Sequence, residues 1–140
     1  MIRTMRRAEL DTVADIWLDT NLAAHSFIAP QYWRDHFEAV KGMLLKAELY
    51  VYEDEDGIQG FAGLDGDYIA GIFVRSGAQS RGIGGALLDF VKRTRKQLAL
   101  SVYQKNVGAL RFYRREGLPV RREQTDENTG EREYFMEWEK

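Results

Sequence analysis

The sequence contains no cysteine and only two prolines, and none of its apolar runs approaches the roughly 20 residues that cross a membrane. The lack of cysteine removes a cysteine acyl-enzyme route and the commonest soft metal ligand. A formal net charge of −2 is unlike that of a general nucleic-acid binder. We therefore expect a cytoplasmic protein without a metal, a membrane partner or a nucleic-acid partner, present as a monomer or a weak homodimer.

What the sequence does contain is the composition of a folded globular protein. Its 140 residues are 44% hydrophobic and 30% charged, which is enough apolar material for a core without crosslinks. No internal repeat or low-complexity segment divides the chain. We expect a single domain spanning residues 1–140.

A strand, a glycine-rich loop and a helix follow one another between residues 67 and 97. Residues 68–74 are apolar and rich in β-branched and aromatic side chains, which is typical of a buried strand. Leu87, Leu88 and Val91 have helical spacing. The loop between them, with four glycines, allows backbone amides at the helix start to approach an anion closely. This arrangement predicts a phosphate-binding loop.

Two common phosphate-binding motifs do not fit this loop. A P-loop requires Lys and then Ser or Thr after its last glycine, whereas Ala86 and Leu87 follow Gly85 here. A dinucleotide fingerprint requires a small residue where Leu87 lies and an acid about twenty residues later, where Ser101 to Tyr103 lie.

The remaining elements alternate in a way that predicts a mixed sheet flanked by helices. Strand 98–103 follows a helix, so a crossover can place it parallel to strand 68–74. The other strands are connected by turns and are expected to be antiparallel. Strands are predicted at residues 2–5, 49–53, 58–64, 68–74, 98–103, 120–123 and 133–138. Helices are predicted at residues 9–22, 33–44 (after Pro30), 86–96 and 107–116, with residues 21–30 as a connection.

Two motifs resemble those of the GNAT acetyltransferase superfamily. The first is Gln79-Ser80-Arg81-Gly82-Ile83-Gly84, which is similar to the family's acetyl-CoA signature and lies between the expected strand and helix. The second runs from Asn106 through Ala109 and Phe112-Tyr113 to Gly117-Leu118. Both motifs occur in the family's order and separation, and the resemblance covers nearly the whole chain. It is closest to small single-domain bacterial N-acetyltransferases.

The resemblance implies an α+β fold with a mixed, mostly antiparallel sheet of six or seven strands and about four helices. Strands 68–74 and 98–103 are expected to be parallel and to separate in a V-shape. The slot between them would receive the pantetheine arm of acetyl-CoA, with a bulge at Ala70-Gly71 offering unpaired backbone groups. No metal is implied.

The resemblance also assigns roles to individual residues. The loop 79–85 would bind the pyrophosphate through backbone amides, with Arg75, Arg81 or Arg115 near the phosphates. Asn106 would hydrogen-bond the pantetheine arm, Tyr113 would give a proton to the departing thiolate, and an N–H near Phe73 would stabilise the oxyanion. The expected contacts with acetyl-CoA are Ile72, Phe73, Val74, Gln79, Ser80, Arg81, Gly82, Ile83, Gly84, Gly85, Asn106, Ala109, Phe112 and Tyr113.

The acceptor is expected to be a primary amine. A lysine amine has a pKa of about 10.4, so a base or a desolvated site must remove its proton. Glu53, Asp65, Asp67 and His25 are alternative candidates for that base. An aromatic-walled entrance for the acceptor is predicted from His25, Phe27, Tyr32, Trp33 and Tyr103.

The resulting hypothesis is an acetyl-CoA-dependent N-acetyltransferase that acts by direct transfer in a ternary complex. Its acceptor is a protein lysine, a protein N-terminus or a small-molecule amine. Two alternatives stay open from the sequence. One is a non-catalytic acyl-CoA sensor or interaction module, and the other is a nucleotide-binding regulator that uses the glycine loop.

Overall fold

The computed structural model describes residues 1–140 and contains one seven-stranded sheet with α-helices on both faces. The strands are β1 (Ile2–Thr4), β2 (Glu48–Asp54), β3 (Gly57–Asp65), β4 (Tyr68–Val74), β5 (Gln97–Tyr103), β6 (Val120–Thr125) and β7 (Arg132–Glu139). The α-helices are α1 (Leu10–Ala24), α2 (Pro30–Asp35), α3 (Phe37–Lys46), α4 (Ile83–Arg93) and α5 (Val107–Arg115). Two 3₁₀ helices lie at Arg7–Glu9 and Ser76–Ala78.

The strand order confirms the predicted mixed sheet. The strands lie in the order β1-β2-β3-β4-β5-β7-β6. Every neighbouring pair is antiparallel except β4 and β5, which are parallel. Helix α4 makes the crossover between these two strands, as the sequence indicated.

The helices differ from the prediction in number and at several boundaries. There are five and not about four, because the helix expected after Pro30 is divided at His36 into α2 and α3. The backbone of His36 opens to ψ −3°, and its ring Nδ1 lies 2.6 Å from the Tyr32 carbonyl oxygen. Helix α1 continues to Ala24, so the connection begins only at His25. Helix α4 begins at Ile83 and ends at Arg93, whereas residues 86–96 were predicted. None of the five combines the length and apolar character that a membrane-spanning segment needs.

Apolar side chains form a separate core on each face of the sheet. On one face, Val13 and Ile16 of α1 pack with Phe61 of β3. On the other, Leu87 and Leu88 of α4 pack with a group of sheet residues. Each fully buried aliphatic or aromatic side chain contributes about 1.5–3 kcal/mol. The two cores hold α1 and α4 on opposite sides of β4, and so fix the walls of the space beside it.

Strands β4 and β5 pair at a single position, Tyr68 with Ala99. Beyond it they separate, which confirms the predicted V-shape. On the other edge of β4, Gly71 pairs with Gly63 and Ile69 with Leu64, so Ala70 is an extra residue without a partner. This is the bulge expected at Ala70-Gly71.

Candidate active site

The separation of β4 and β5 opens a cleft of about 850 Å³. One wall comes from β4 and the glycine loop (residues 79–85), and the other from β5 and α5. The end of α1 and the connection after it close one side. Most of the residues that the sequence singled out line this cleft, namely His25, Trp33, Ile72, Phe73, Val74, Gln79, Ser80, Gly82, Ile83, Gly84, Gly85, Tyr103, Asn106, Ala109, Phe112 and Tyr113.

Three residues predicted to contact acetyl-CoA or the acceptor do not line the cleft. Tyr32 is one of them, and its ring packs edge-on against Trp33 with the centroids 4.9 Å apart. The Arg81 side chain is exposed and donates to the Gly77 carbonyl oxygen at 3.2 Å. The Phe27 ring lies behind the cleft wall, with its centroid 5.6 Å from those of both His25 and Tyr103. Phe27 therefore supports the rings of the wall from outside.

Three of the four candidate bases also lie away from the cleft. Glu53 forms an ion pair with Arg3 at 3.2 Å. Asp67 lies at the closed end of the β4–β5 pair, 3.5 Å from Arg95. Asp65, at the end of β3, is outside the cleft lining. Of the four, only His25 faces the cleft.

The glycine loop presents the amino end of α4 to the cleft. Gly82 is the N-cap residue with φ 81°, and Ser80 also has a positive φ of 65°. No side chain caps this helix, so its first amides are free to bind an anion. A Cβ at Gly84 would be in ordinary van der Waals contact with the Phe112 ring at 3.5 Å, so this ring packs beside the start of the helix.

Among the three arginines proposed for the phosphates, the structure brings only Arg115 to the cleft. Its guanidinium lies over the Phe112 ring, 5.8 Å from the centroid. Arg75 instead donates through Nε to the Ile58 carbonyl oxygen at 2.8 Å.

The outer part of β4 offers an unpaired backbone edge. Ile72 and Phe73 pair with β3 on one side, while β5 has moved away on the other. The Phe73 ring stacks on Phe61 at 4.8 Å and covers Gly71. A Cβ at Gly71 would lie 2.3 Å from the Phe73 ring, so a side chain there would require this ring to move. An extended ligand in the cleft can therefore hydrogen-bond β4 as an added strand.

Tyr113 lies in the cleft wall, although it is only 7% exposed. Burial raises the pKa of its hydroxyl above the usual value near 10, and the nearby Ile72 backbone opposes the shift only in part. The phenol therefore keeps its proton at neutral pH and can act as a proton donor.

A chain of hydrogen bonds fixes His25 as a neutral ring. Asn21 gives its Nδ2 hydrogen to the Trp17 carbonyl oxygen, so its Oδ1 faces His25 Nδ1 at 3.0 Å. Asn106 accepts from the Ala109 N–H through Oδ1, so its Nδ2 faces His25 Nε2 at 3.1 Å. The His25 proton is therefore on Nδ1. Burial lowers the pKa of this imidazole to about 4, which makes it a weak base.

Aromatic rings surround His25 on the acceptor side of the cleft. The Trp33 ring stacks on His25 at 5.4 Å, and the Tyr103 ring meets it edge-on at 5.0 Å. Tyr103 donates its hydroxyl hydrogen to Asp126 Oδ2 at 2.5 Å. The indole Nε1 of Trp33 is buried and has no hydrogen-bond partner. This side of the cleft is therefore lined by aromatic rings, and the Trp33 N–H is left without a partner in the protein.

Sequence reasoning missed Glu133, the one carboxylate in the lining of the cleft. It lies on β7 directly opposite Tyr103 of β5. Burial is the main cause that raises the pKa of its carboxyl group, and Asp126 adds to it. No local signal marked it, because its position depends on the pairing of β5 with β7, whose cross-strand partners share one face of the sheet.

These features together fit acetyl-CoA. A pyrophosphate matches the uncapped end of α4, the amide-bearing pantetheine arm matches the free edge of β4, and a buried phenol lies along the same cleft. The arrangement can place a thioester between a proton donor and an aromatic pocket.

Comparison with known proteins agrees with this geometry. The family model described as "Acetyltransferase (GNAT) domain" matches residues 46–117. Peptidyl-lysine N-acetyltransferase YiaC of Escherichia coli is 37% identical over 122 residues, which are 86% of this chain and 84% of that protein. Peptidyl-lysine N-acetyltransferase YjaB of Salmonella typhimurium is 29% identical over 120 residues, 85% of this chain and 83% of that one.

Solved structures share the fold over the full chain. The solution structure of apo YjaB from Escherichia coli has a TM-score of 0.88 and 24% identity, covering 99% of this chain and 96% of that one. Salmonella typhimurium yncA, solved with its cofactor acetyl-CoA, has a TM-score of 0.70 and 17% identity, covering 99% of this chain and 92% of that one. The chain belongs to the GNAT acetyltransferase family and is an acetyltransferase.

Proposed function

We propose that this protein transfers the acetyl group of acetyl-CoA to the side-chain amine of a lysine in a protein, by direct transfer in a ternary complex. The observation that carries the choice of lysine is the relative with 37% identity over 86% of the chain, which is named a peptidyl-lysine N-acetyltransferase. A cleft with a phosphate-binding end and an aromatic end supports the same reaction.

The residues of the glycine loop and β4 would hold the donor. The free amides at the start of α4 bind the pyrophosphate, and Arg115 supplies a positive charge beside it. The backbone of β4 from Ile72 to Val74 would pair with the pantetheine amides, and Asn106 would add a hydrogen bond. Bound acetyl-CoA supplies the acetyl group as a thioester.

Tyr113 would supply the proton that the departing sulfur takes up. A thiol has a pKa of about 8.5, so its thiolate is only modestly unfavourable at pH 7, while the buried phenol stays protonated. The phenol therefore assists the reaction without being indispensable. A backbone N–H near Phe73 would stabilise the oxyanion.

Direct transfer follows from the residue types present. The sequence has no cysteine to carry the acetyl group as a thioester, and the cleft has room for both reactants. The amine would enter along the aromatic side, past Trp33 and Tyr103.

The test is thiol release from acetyl-CoA with three acceptors: Nα-acetyl-lysine methylamide, a lysine-free peptide with a free N-terminus, and spermidine. We expect release with the lysine compound, matched by an equal yield of Nε-acetyl-lysine. Transfer only to one of the other two amines contradicts the lysine assignment. Saturable acetyl-CoA binding without transfer to any amine favours the non-catalytic sensor instead.

A further inference from the structure

Glu133 has a position and a set of contacts that the proposed donor site does not use. On β5, Leu98, Leu100 and Val102 belong to the core against α4 and α5. Because side chains alternate along a strand, Tyr103 faces the other side, where its ring meets His25. Glu133 is the cross-strand partner of Tyr103, so it shares that face.

One oxygen of the Glu133 carboxylate is held and the other is free. Oε1 accepts from Gln124 Nε2 at 2.8 Å. The same amide nitrogen lies 3.2 Å from Ser101 Oγ, which fixes its direction. Oε2 has no hydrogen-bond partner in the protein, and Glu133 forms no ion pair. The carboxylate is thus oriented, and one oxygen is left for a ligand.

The cations near Glu133 are engaged elsewhere. Lys105 pairs with Glu131 at 2.9 Å. Arg132, the preceding residue, donates to Thr125 Oγ1 at 2.8 Å. A carboxylate that is removed from water is normally paired with a cation. The one cationic side chain in the lining of this cleft is Arg115, whose guanidinium lies over the Phe112 ring, and Glu133 forms no ion pair with it.

The geometry points to Glu133 as the group that binds the acceptor ammonium and removes its proton, with Tyr103 and His25 as the aromatic walls of that subsite. This inference rests on the proposed amine acetylation. The other candidate bases are not available for this role. Glu53, Asp65 and Asp67 lie outside the cleft lining, and both ring nitrogens of His25 are engaged in hydrogen bonds.

The proton and electron balance of the step is simple. The ammonium gives one proton to the Glu133 carboxylate, and the lone pair it leaves on nitrogen forms the C–N bond. The C–S bond breaks as Tyr113 gives its proton to the sulfur. The resulting phenolate then takes a proton from the nitrogen as the amide forms. Glu133 then loses its proton to water, so the net reaction releases one proton.

The test compares Glu133→Gln with Glu137→Gln, which makes the same change on the same strand outside the cleft. The first measurement is calorimetric binding, without acetyl-CoA, of Nα-acetyl-lysine methylamide and of its norleucine analogue, which lacks the ammonium. We expect wild type and Glu137→Gln to prefer the lysine compound. In Glu133→Gln, the ratio of the affinities for the two compounds should fall by about ten- to a hundredfold, as expected for the loss of a charge-assisted hydrogen bond.

The second measurement is kcat/KM for the lysine compound at saturating acetyl-CoA. Loss of a general base predicts a fall of about a hundredfold or more in Glu133→Gln, with thermal unfolding and acetyl-CoA binding like those of wild type. The inference is overturned if wild type, Glu133→Gln and Glu137→Gln have the same preference for the lysine compound over the norleucine analogue and the same kcat/KM. That result would leave lysine acetylation intact.

The amine panel separates this inference from the proposed function. If wild type acetylates only spermidine or an N-terminal amine, and Glu133→Gln loses that activity, then Glu133 keeps its role and the lysine assignment fails. If no amine binds or reacts with wild type, both are wrong.

Discussion

His25 Nε2 accepts a hydrogen bond from Asn106 Nδ2 at 3.1 Å, although 81 positions separate the two residues. His25 follows α1, and Asn106 is the N-cap residue of α5, where its Oδ1 accepts from the Ala109 N–H. The bond therefore joins the acceptor side of the cleft to the helix that carries Tyr113. It also requires a neutral His25, because a protonated ring has no acceptor nitrogen.

This bond makes stability depend on pH through His25. The folded-state pKa of about 4 lies below the ordinary value of 6.5 because burial disfavours the charged ring. The unfolded chain therefore binds more protons between these values, and stability is lost as pH falls from 6.5 toward 4. We expect His25→Gln to lose less stability than wild type over this range. The measurement is the free energy of unfolding by urea at each pH.

The matched control for His25 is His36→Gln. His36 is exposed at the α2–α3 junction, so this variant makes the same substitution outside the cleft. The other titrating groups are the same in all three proteins. Their contributions to the pH dependence of the free energy of unfolding therefore cancel when the curves are compared. Parallel stability curves for wild type and His25→Gln would show that the ring is not held neutral by the fold.

Tyr113→Phe should lower kcat by about a hundredfold without abolishing transfer. The phenol is a proton donor to a leaving group that is already fairly stable as an anion, so its removal slows the step only in part. KM for acetyl-CoA should stay near the wild-type value, since the ring remains. The control is Tyr134→Phe on β7, outside the cleft. A kcat for Tyr113→Phe equal to that of wild type would remove Tyr113 from the mechanism.

Gly71→Ala should destabilise the protein by about 1–3 kcal/mol and weaken acetyl-CoA binding. The new methyl group would lie 2.3 Å from the Phe73 ring, which must move, and that ring lines the cleft. Gly63→Ala, at the paired position on β3, meets nothing within 4 Å and is the control. Urea unfolding and calorimetric titration with acetyl-CoA measure both effects. Equal behaviour of the two variants would show that Phe73 moves aside freely.

Gly82→Ala tests the glycine loop through its backbone. A side chain at φ 81° is strained by about 1–2 kcal/mol even though the space is open. Relief of that strain would turn the first amides of α4 away from the pyrophosphate, so acetyl-CoA affinity should fall. Gly77→Ala has equal space and no positive φ. Unchanged affinity in Gly82→Ala would mean that the loop does not bind the phosphates.

Much of this fold was predictable because its signals are local. Seven strands, their turns and the helix faces follow from periodicity and from the position of glycine and proline. The division of the second helix at His36 was not predictable in this way. Trp33, Phe37, Val40 and Leu44 keep helical spacing across the break, so the periodic pattern does not record the change in backbone angle.

The candidate site was predictable where two motifs carry it, and less so elsewhere. The glycine loop, Asn106 and Tyr113 are contiguous with their motifs and meet in the cleft. Arg75 and Glu53 were considered for their charge, but hydrogen bonds with Ile58 and Arg3 direct them away. Glu133 belongs to no motif. Its place depends on pairing across β5 and β7, a long-range relationship that composition and spacing do not contain.

The most direct test of the account is a matrix of initial rates over acetyl-CoA and Nα-acetyl-lysine methylamide. Direct transfer in one cleft requires both reactants to be bound together, so we predict double-reciprocal lines that intersect, and an acetylated lysine for each thiol released. Parallel lines, which indicate an acetylated enzyme formed before the amine binds, would contradict the account, as would thiol release without acetyl-lysine.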